Sequence, residues 1–316
     1  MKWLPAVLFL MLAPLQAGDY PWSDAVPAEI AAASIIPDTV LDEIPCDWRP
    51  ELTPLIKPLV KGCTTAREAV LAISTGLGNA TGAYYSRERS KHNMNVLETL
   101  REKKISCTGQ SILLVCALRS VGIPARAAGV LAWNHIPGNH TWAEAWFDGS
   151  WHMIEMGERD FNTPWVMENI GMLDVNSPQQ RIMAATPSGN ERWGMSTGSH
   201  PVQAEDVTRR YATLALKWYQ QNGLSSDFQK LMVDIQPRSL QPIRLMLLDK
   251  KHNTIETAFL PTARQDMRYL TRMQLPRTGG LYFLKIQGSA QLLPISATPQ
   301  PVQIIRLGRL PALLEQ

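Results

Sequence analysis

Cys107 stands in SCTGQSILLVCALRSVGIPAR, residues 106–126, where a polar stretch meets an apolar run. A cysteine used for packing belongs inside such a run, as Cys116 does, whereas Cys107 sits at its mouth. If Ser106 or Cys107 begins a helix, the thiol lies among unpaired backbone N–H groups at the positive end of the helix dipole. That position favours thiolate over thiol. Lys103 and Lys104 push the same way, and Thr108, Gly109 and Gln110 keep the mouth small and polar, so that a carbonyl can approach.

A thiolate nucleophile needs a base, and a third group to orient that base. Among the six histidines, His92 and His200 fall in loops and His252 in a turn, while His140 opens the run HTWAEAWF. Alternation along a strand puts His140, Trp142, Glu144 and Trp146 on one face, with Trp142 placed to shield the imidazole and line a groove beside it. The next run, WHMIEM, follows Asp148-Gly149, a strong hairpin signal. A two-residue turn pairs positions summing to 297, which sets Trp142 opposite Glu155 and leaves Glu155 diagonal to His140, within side-chain reach at ~7 Å. A three-residue loop would instead place Glu158 opposite His140. The simplest turn favours Glu155, with Glu158 the alternative and Asp160 a weaker third choice.

Metal and cofactor chemistry find little support. His135 and His140 are five apart, but the same hairpin register turns His152 to the opposite face, so no zinc site is expected. No glycine-rich phosphate loop is present and no cofactor is expected. The thirteen methionines and ten tryptophans read as core and groove packing.

The elements that must position these residues follow from periodicity. Ala66, Ala69, Val70 and Ile73 mark one face of a helix from Thr64 to about Ser74. A short helix is expected over 93–103, and the apolar helix over 106–121 stops at Gly122 and Pro124. Strands follow in ARAAGVLAW, HTWAEAWF and WHMIEM. Residues 176–203 lack periodicity and read as a loop or linker, before a helix in DVTRRYATLALKWYQQ. Six short strand-like runs, PIRLMLLD, TAFLP, RYLTRMQL, GLYFLKIQG, AQLLPI and VQIIRL, suggest a small β-sandwich.

Residues 1–17, MKWLPAVLFLMLAPLQA, have one positive charge, an apolar centre and small residues near Ala17, the pattern of a cleaved secretory signal peptide. Its apolar run is broken by Pro5 and Pro14 and is short for a span of ~20 residues, so no stable membrane span is expected and the protein is expected to be secreted or periplasmic. In such a compartment Cys46 and Cys63 are natural disulfide partners. Cys107 and Cys116 are nine positions apart, about 13 Å along a helix, too far for a bond that needs Cα atoms within roughly 7 Å. The expected division is 1–17 signal peptide, 18–63 lead-in, extended apart from one short helix around Pro27–Ala33, 64–185 catalytic core, 186–236 linker and helix, and 237–316 β-sandwich-like module. The formal charge is +3, or +2 once Lys2 is removed, which argues against nucleic acid as a partner.

The strings SCTGQSILLVCALRSVGIPARAAGVLAW and GNHTWAEAWFDGSWHMIEM resemble the transglutaminase-like superfamily of papain-like cysteine enzymes, in its bacterial secreted form, over roughly residues 64–170. The resemblance implies an α+β core in which the helix carrying the cysteine packs on an antiparallel sheet. It also implies acyl chemistry on amides, with Cys107 as nucleophile and His140 as base. The third member in that family is usually an aspartate four places after the tryptophan matching Trp151, and Glu155 stands there instead. Expected outcomes are peptidase, amidase or protein cross-linking activity, with hydrolysis of peptides, cell-wall peptides among them, favoured. A non-catalytic protein that keeps the scaffold and holds glycan or protein through its C-terminal module is the alternative, and a structural assembly factor is a third reading.

Overall fold

The N-terminal lead-in, despite its prolines, carries a second helix beyond the short one expected around Pro27–Ala33. The structure, a computed structural model, describes residues 20–133, 138–195, 201–222, 228–235, 241–260, 271–277, 280–298 and 302–307, so the expected signal peptide lies outside the described residues. Within 18–63 it forms α1 (Ala28–Ser34) and α2 (Arg49–Ile56). Pro50 occupies the first turn of α2, where its missing N–H costs nothing. Leu52 and Ile56, four apart, are then fully buried together with Trp48 in the core. The lead-in is therefore part of the folded unit.

Helix α3 (Ala66–Thr81) runs about two turns further than its apolar pattern suggested. It starts at a capping box, with Thr65 accepting from the Glu68 N–H and the Glu68 carboxylate accepting from the Thr65 N–H. It ends at Gly82 in the left-handed region. After the two-residue strand β1 (Tyr84–Tyr85) comes α4 (Val96–Glu102), begun by a second capping box between Asn95 and Glu98. Then follow β2 (Lys104–Ile105), parallel to β1, and α5 (Cys107–Arg119). Ser106 caps α5, accepting from the Gly109 N–H at 2.9 Å.

Strands β3 (Ala125–Val130), β4 (His140–Phe147) and β5 (Ser150–Ile154) form an antiparallel meander. After α6 (Pro164–Ile170), the sheet is completed by β6 (Ile182–Ala185), β7 (Glu191–Arg192) and β8 (Gln203–Asp206), in the order β5-β4-β3-β6-β8-β7. Strands β6 and β7 thus fall within 176–203, the stretch expected as a loop or linker, and β8 begins at its end. They are two to four residues long, too short for an alternation to register. Ala125, Ala127, Ala143 and Ala145 all join the core cluster around α5, since alanines on the sheet let the helix approach closely. Arg126, Glu144 and Trp142 point to the opposite face.

Helix α7 (Thr208–Gln221) follows. By compactness the described chain divides into two units, one of 20–133, 138–167, 173–195 and 201–212, the other of 168–172 and the described residues from 213 onward. The second unit contains a sheet of β10 (Ile243–Leu248), β11 (Thr254–Leu260), β13 (Leu281–Ile286) and β14 (Leu292–Ser296). A three-stranded sheet joins β9 (Phe228–Ile235), β12 (Thr271–Pro276) and β15 (Val302–Leu307). Leu231, Val233, Met273 and Leu275 from one sheet and Leu245, Leu247, Leu284 and Ile286 from the other share one buried cluster, the arrangement of a β-sandwich. Strand β9 lies at the centre of its sheet, within the stretch 186–236 that the sequence pattern presents as linker and helix. No helix among the described residues is long and apolar enough to cross a membrane.

Candidate active site

Asp148 and Gly149 both take positive φ, 49° and 72°, as a two-residue type I′ hairpin requires. The ladder pairs Phe147 with Ser150 and Ala143 with Ile154, the register in which positions sum to 297. Strand β5 ends at Ile154, and Glu155 follows it directly. Its carboxylate Oε1 lies 2.7 Å from His140 Nε2, with both side chains buried.

With Nε2 engaged by Glu155, Nδ1 is the nitrogen left for Cys107, whose thiol is hydrogen-bonded to the imidazole. Cys107 is the first residue of α5 and half-buried. Burial pushes its thiol up, but the hydrogen bond and charge of His140 and the backbone N–H groups of Thr141 and Thr108 outweigh this, and the pKa is lowered. Burial pulls His140 down, yet the Glu155 charge and the bonds to Cys107 and Glu155 raise it to about 9. The two shifts reinforce each other, since each group favours the charged form of its neighbour. Cys116 is the contrast: burial raises its thiol far above the ordinary range.

Glu158 is joined to this region by its backbone carbonyl, which accepts from Ser74 Oγ at 2.8 Å. Asp160 is exposed and lies 3.7 Å from Arg67. The lysines expected beside the thiol are engaged elsewhere: Lys103 Nζ donates to the Thr81 carbonyl at 2.7 Å and Lys104 pairs with Glu88 at 3.1 Å. Gln110 is half-buried on α5, one turn from Cys107. Trp142 does not line an open groove, because it is fully buried. Its Nε1 donates to Tyr211 Oη at 2.6 Å, Tyr211 donates to Glu144 Oε1 at 2.7 Å, and Glu144 is held by Arg126 at 2.8 Å and by Arg210. The closer aromatic neighbour of His140 is Trp165 of α6, edge-on with ring centroids 5.0 Å apart. Thr163-Pro164 before Trp165 is a helix-start signal that would have drawn attention to it.

All four cysteines are free thiols, so the expected Cys46–Cys63 bridge is not formed. The Cys46 thiol accepts from backbone N–H groups of Leu97 and Val96 at the start of α4, while Cys63 follows the turn at Gly62 and faces Glu68 before α3. His135 lies outside the described residues, and His152 stacks on Phe147 with centroids 3.9 Å apart. No group of three His, Cys, Asp or Glu among the described residues is placed to hold a metal ion.

Residues 53–156, a third of the chain, match the family model of the transglutaminase-like superfamily, a span that takes in Cys107, His140 and Glu155. No curated protein matches the chain. Among solved structures, it is similar to a candidate cysteine protease from Cytophaga hutchinsonii at 16% identity, covering 50% of this chain and 58% of that one with a TM-score of 0.31. It is similar to red sea bream transglutaminase at 12% identity, covering 88% and 66% with a TM-score of 0.44. A further transglutaminase structure aligns at 18% identity over 35% and 34%, with a TM-score of 0.26. The chain thus spans less than two thirds of the length of each.

Proposed function

We propose that this protein is an exported cysteine-dependent acyl-transfer enzyme acting on amide or peptide bonds. The observation that carries the reading is the buried contact of His140 Nε2 with Glu155 Oε1 at 2.7 Å, on an imidazole whose other side meets the Cys107 thiol. The family match over 53–156 supports it.

In the first half-reaction the Cys107 sulfur attacks the amide carbonyl, forming a C–S bond. The C–N bond then breaks as His140 gives its Nδ1 proton to the departing amine. Glu155 holds the imidazole and stabilises its charged form. The backbone N–H of Cys107, at a helix start where N–H groups lack intrahelical partners, is suited to stabilising the oxyanion. In the second half, water attacks the thioester carbonyl as His140 takes its proton; the C–S bond breaks, the acid leaves and the Cys107 thiolate is regenerated. A lysine amine in place of water yields a new amide. Hydrolysis is the favoured outcome, on peptides including cell-wall peptides, and the C-terminal sandwich is a candidate contact for glycan or protein.

The test is turnover of a panel of peptides and glutamine amides by wild type and Cys107→Ala. Release of amine without incorporation of added lysine identifies a hydrolase. Equal turnover by the variant defeats the reading.

A further inference from the structure

Ser74 is a polar residue on the apolar face of α3, in line with Val70, Ile73 and Leu77, and it is fully buried. A serine there is expected either to cost stability or to bond back to its own helix. Thr75 and Thr81 of the same helix do bond back, to the carbonyls of Leu71 and Leu77 at 2.8 and 2.7 Å. Ser74 does not. Its hydroxyl, which has one proton, is shared between the carbonyls of Glu155 at 2.6 Å and Glu158 at 2.8 Å. In return the Gly157 N–H donates to the Ser74 carbonyl at 2.9 Å.

These three bonds tie α3 to the turn 155–158, which is closed by the Glu158 N–H on the Glu155 carbonyl at 3.2 Å. Strand β5 is the edge of its sheet and its ladder with β4 ends at Ile154, and at the next residue α3 takes hold of the chain. The clamp sits at the backbone of the residue whose side chain reaches His140.

The geometry points to Ser74 as a positioning residue: it fixes the backbone of Glu155 so that this carboxylate meets His140 Nε2. This deepens the proposed function and rests on that reading, since it assigns the anchoring of the third member of the triad. Glutamate has one more rotatable bond than the aspartate usual at that place, and an anchored backbone restricts where its longer side chain can put the carboxylate.

The test needs no substrate. The titratable groups bearing on His140 are Glu155 and Cys107, so the rate of Cys107 alkylation by iodoacetamide at about pH 6, followed by peptide mass, reads the ion pair. Ser74→Ala is expected to slow it by roughly tenfold, the scale of a small misplacement at a positioned group. Glu155→Gln should slow it further, and Ser74→Thr, which restores the hydroxyl, should recover most of it. Ser74→Cys keeps the volume with a weaker donor and covers the case in which Ser74→Ala fails to fold; it too should be slowed. If folded Ser74→Ala or Ser74→Cys alkylates at the wild-type rate while Glu155→Gln is slow, the positioning role is overturned and the triad stands. If Glu155→Gln also keeps the wild-type rate, the triad reading fails and the role of Ser74 fails with it.

Discussion

His140 and Glu155 meet at 2.7 Å through Nε2 and Oε1, across a hairpin whose two-residue turn fixes which carboxylate can reach the imidazole. One residue more in that turn would have exchanged Glu155 for another partner. The preference for Glu155 over Glu158 is therefore set by backbone register before any side-chain chemistry is considered.

Glu155→Gln should lower turnover by up to about 10⁴-fold, the scale seen when a triad carboxylate is made neutral. Glu158→Gln should change it little, because Glu158 takes part in the turn through its carbonyl. Steady-state rates of the two variants, compared at equal folded fraction, check this.

The pH dependence follows from the pair. His140, raised to about 9, holds its proton through neutral pH, and its hydrogen bond and charge shift Cys107 toward thiolate. Acyl transfer needs the imidazolium proton for the leaving amine, so kcat should fall as pH rises through about 9. Alkylation of Cys107 needs only the thiolate and should not fall over that range. A thiol of ordinary pKa would instead gain reactivity steadily up to about 8.5.

Glu144 supplies a stability prediction. Burial pushes its carboxyl up, but the charges of Arg126 and Arg210 and the hydrogen bonds from Tyr211 and Arg210 hold it below the usual carboxylate range. A depressed folded pKa contributes stability that is present above the unfolded value, about 4.3, and is lost as pH falls through the folded one. Glu144→Gln removes the buried carboxylate that Arg126 and Arg210 share, leaving Arg126 only the more exposed Glu205 at 2.8 Å, and should cost up to about 3–5 kcal/mol at neutral pH. Tyr211→Phe removes the hydroxyl between Trp142 and Glu144 and should cost about 1–3 kcal/mol. Urea unfolding measures both.

Gly129 stands beside His140. A Cβ there would lie 2.6 Å from the His140 carbonyl oxygen and 2.7 Å from Met195 Cε. The methionine can yield but the strand cannot, so Gly129→Ala should displace the start of β4. A cost of about 1–3 kcal/mol in urea unfolding is expected, with a fall in turnover beyond what lost stability explains.

Much of this site could be read from the chain because its signals are local. Ser106 is a helix cap, Asp148-Gly149 is a turn whose chemistry dictates register, and alternation in HTWAEAWF places His140 and Glu144 on one face. What escaped is long-range or lacks a period. Strand β9 is central yet sits in a stretch that periodicity had not marked, and β6 to β8 are too short to alternate. Helix α2 contains two prolines that argue against a helix until Pro50 is placed in its first turn. Trp142 has the pattern of a groove residue and becomes buried once Tyr211 donates the cover, 69 positions away. Ser74 could be seen as a serine on an apolar face, but its partners lie 81 and 84 positions on.

The central claim is that Cys107 carries the acyl group. The most direct measurement is intact-protein and peptide mass spectrometry after brief mixing with an activated acyl ester, for wild type and Cys107→Ala. The account predicts one added acyl mass, mapped to the peptide containing Cys107, formed with a burst of leaving group and absent from the variant. An acyl mass on another residue, or a burst undiminished in Cys107→Ala, would contradict it.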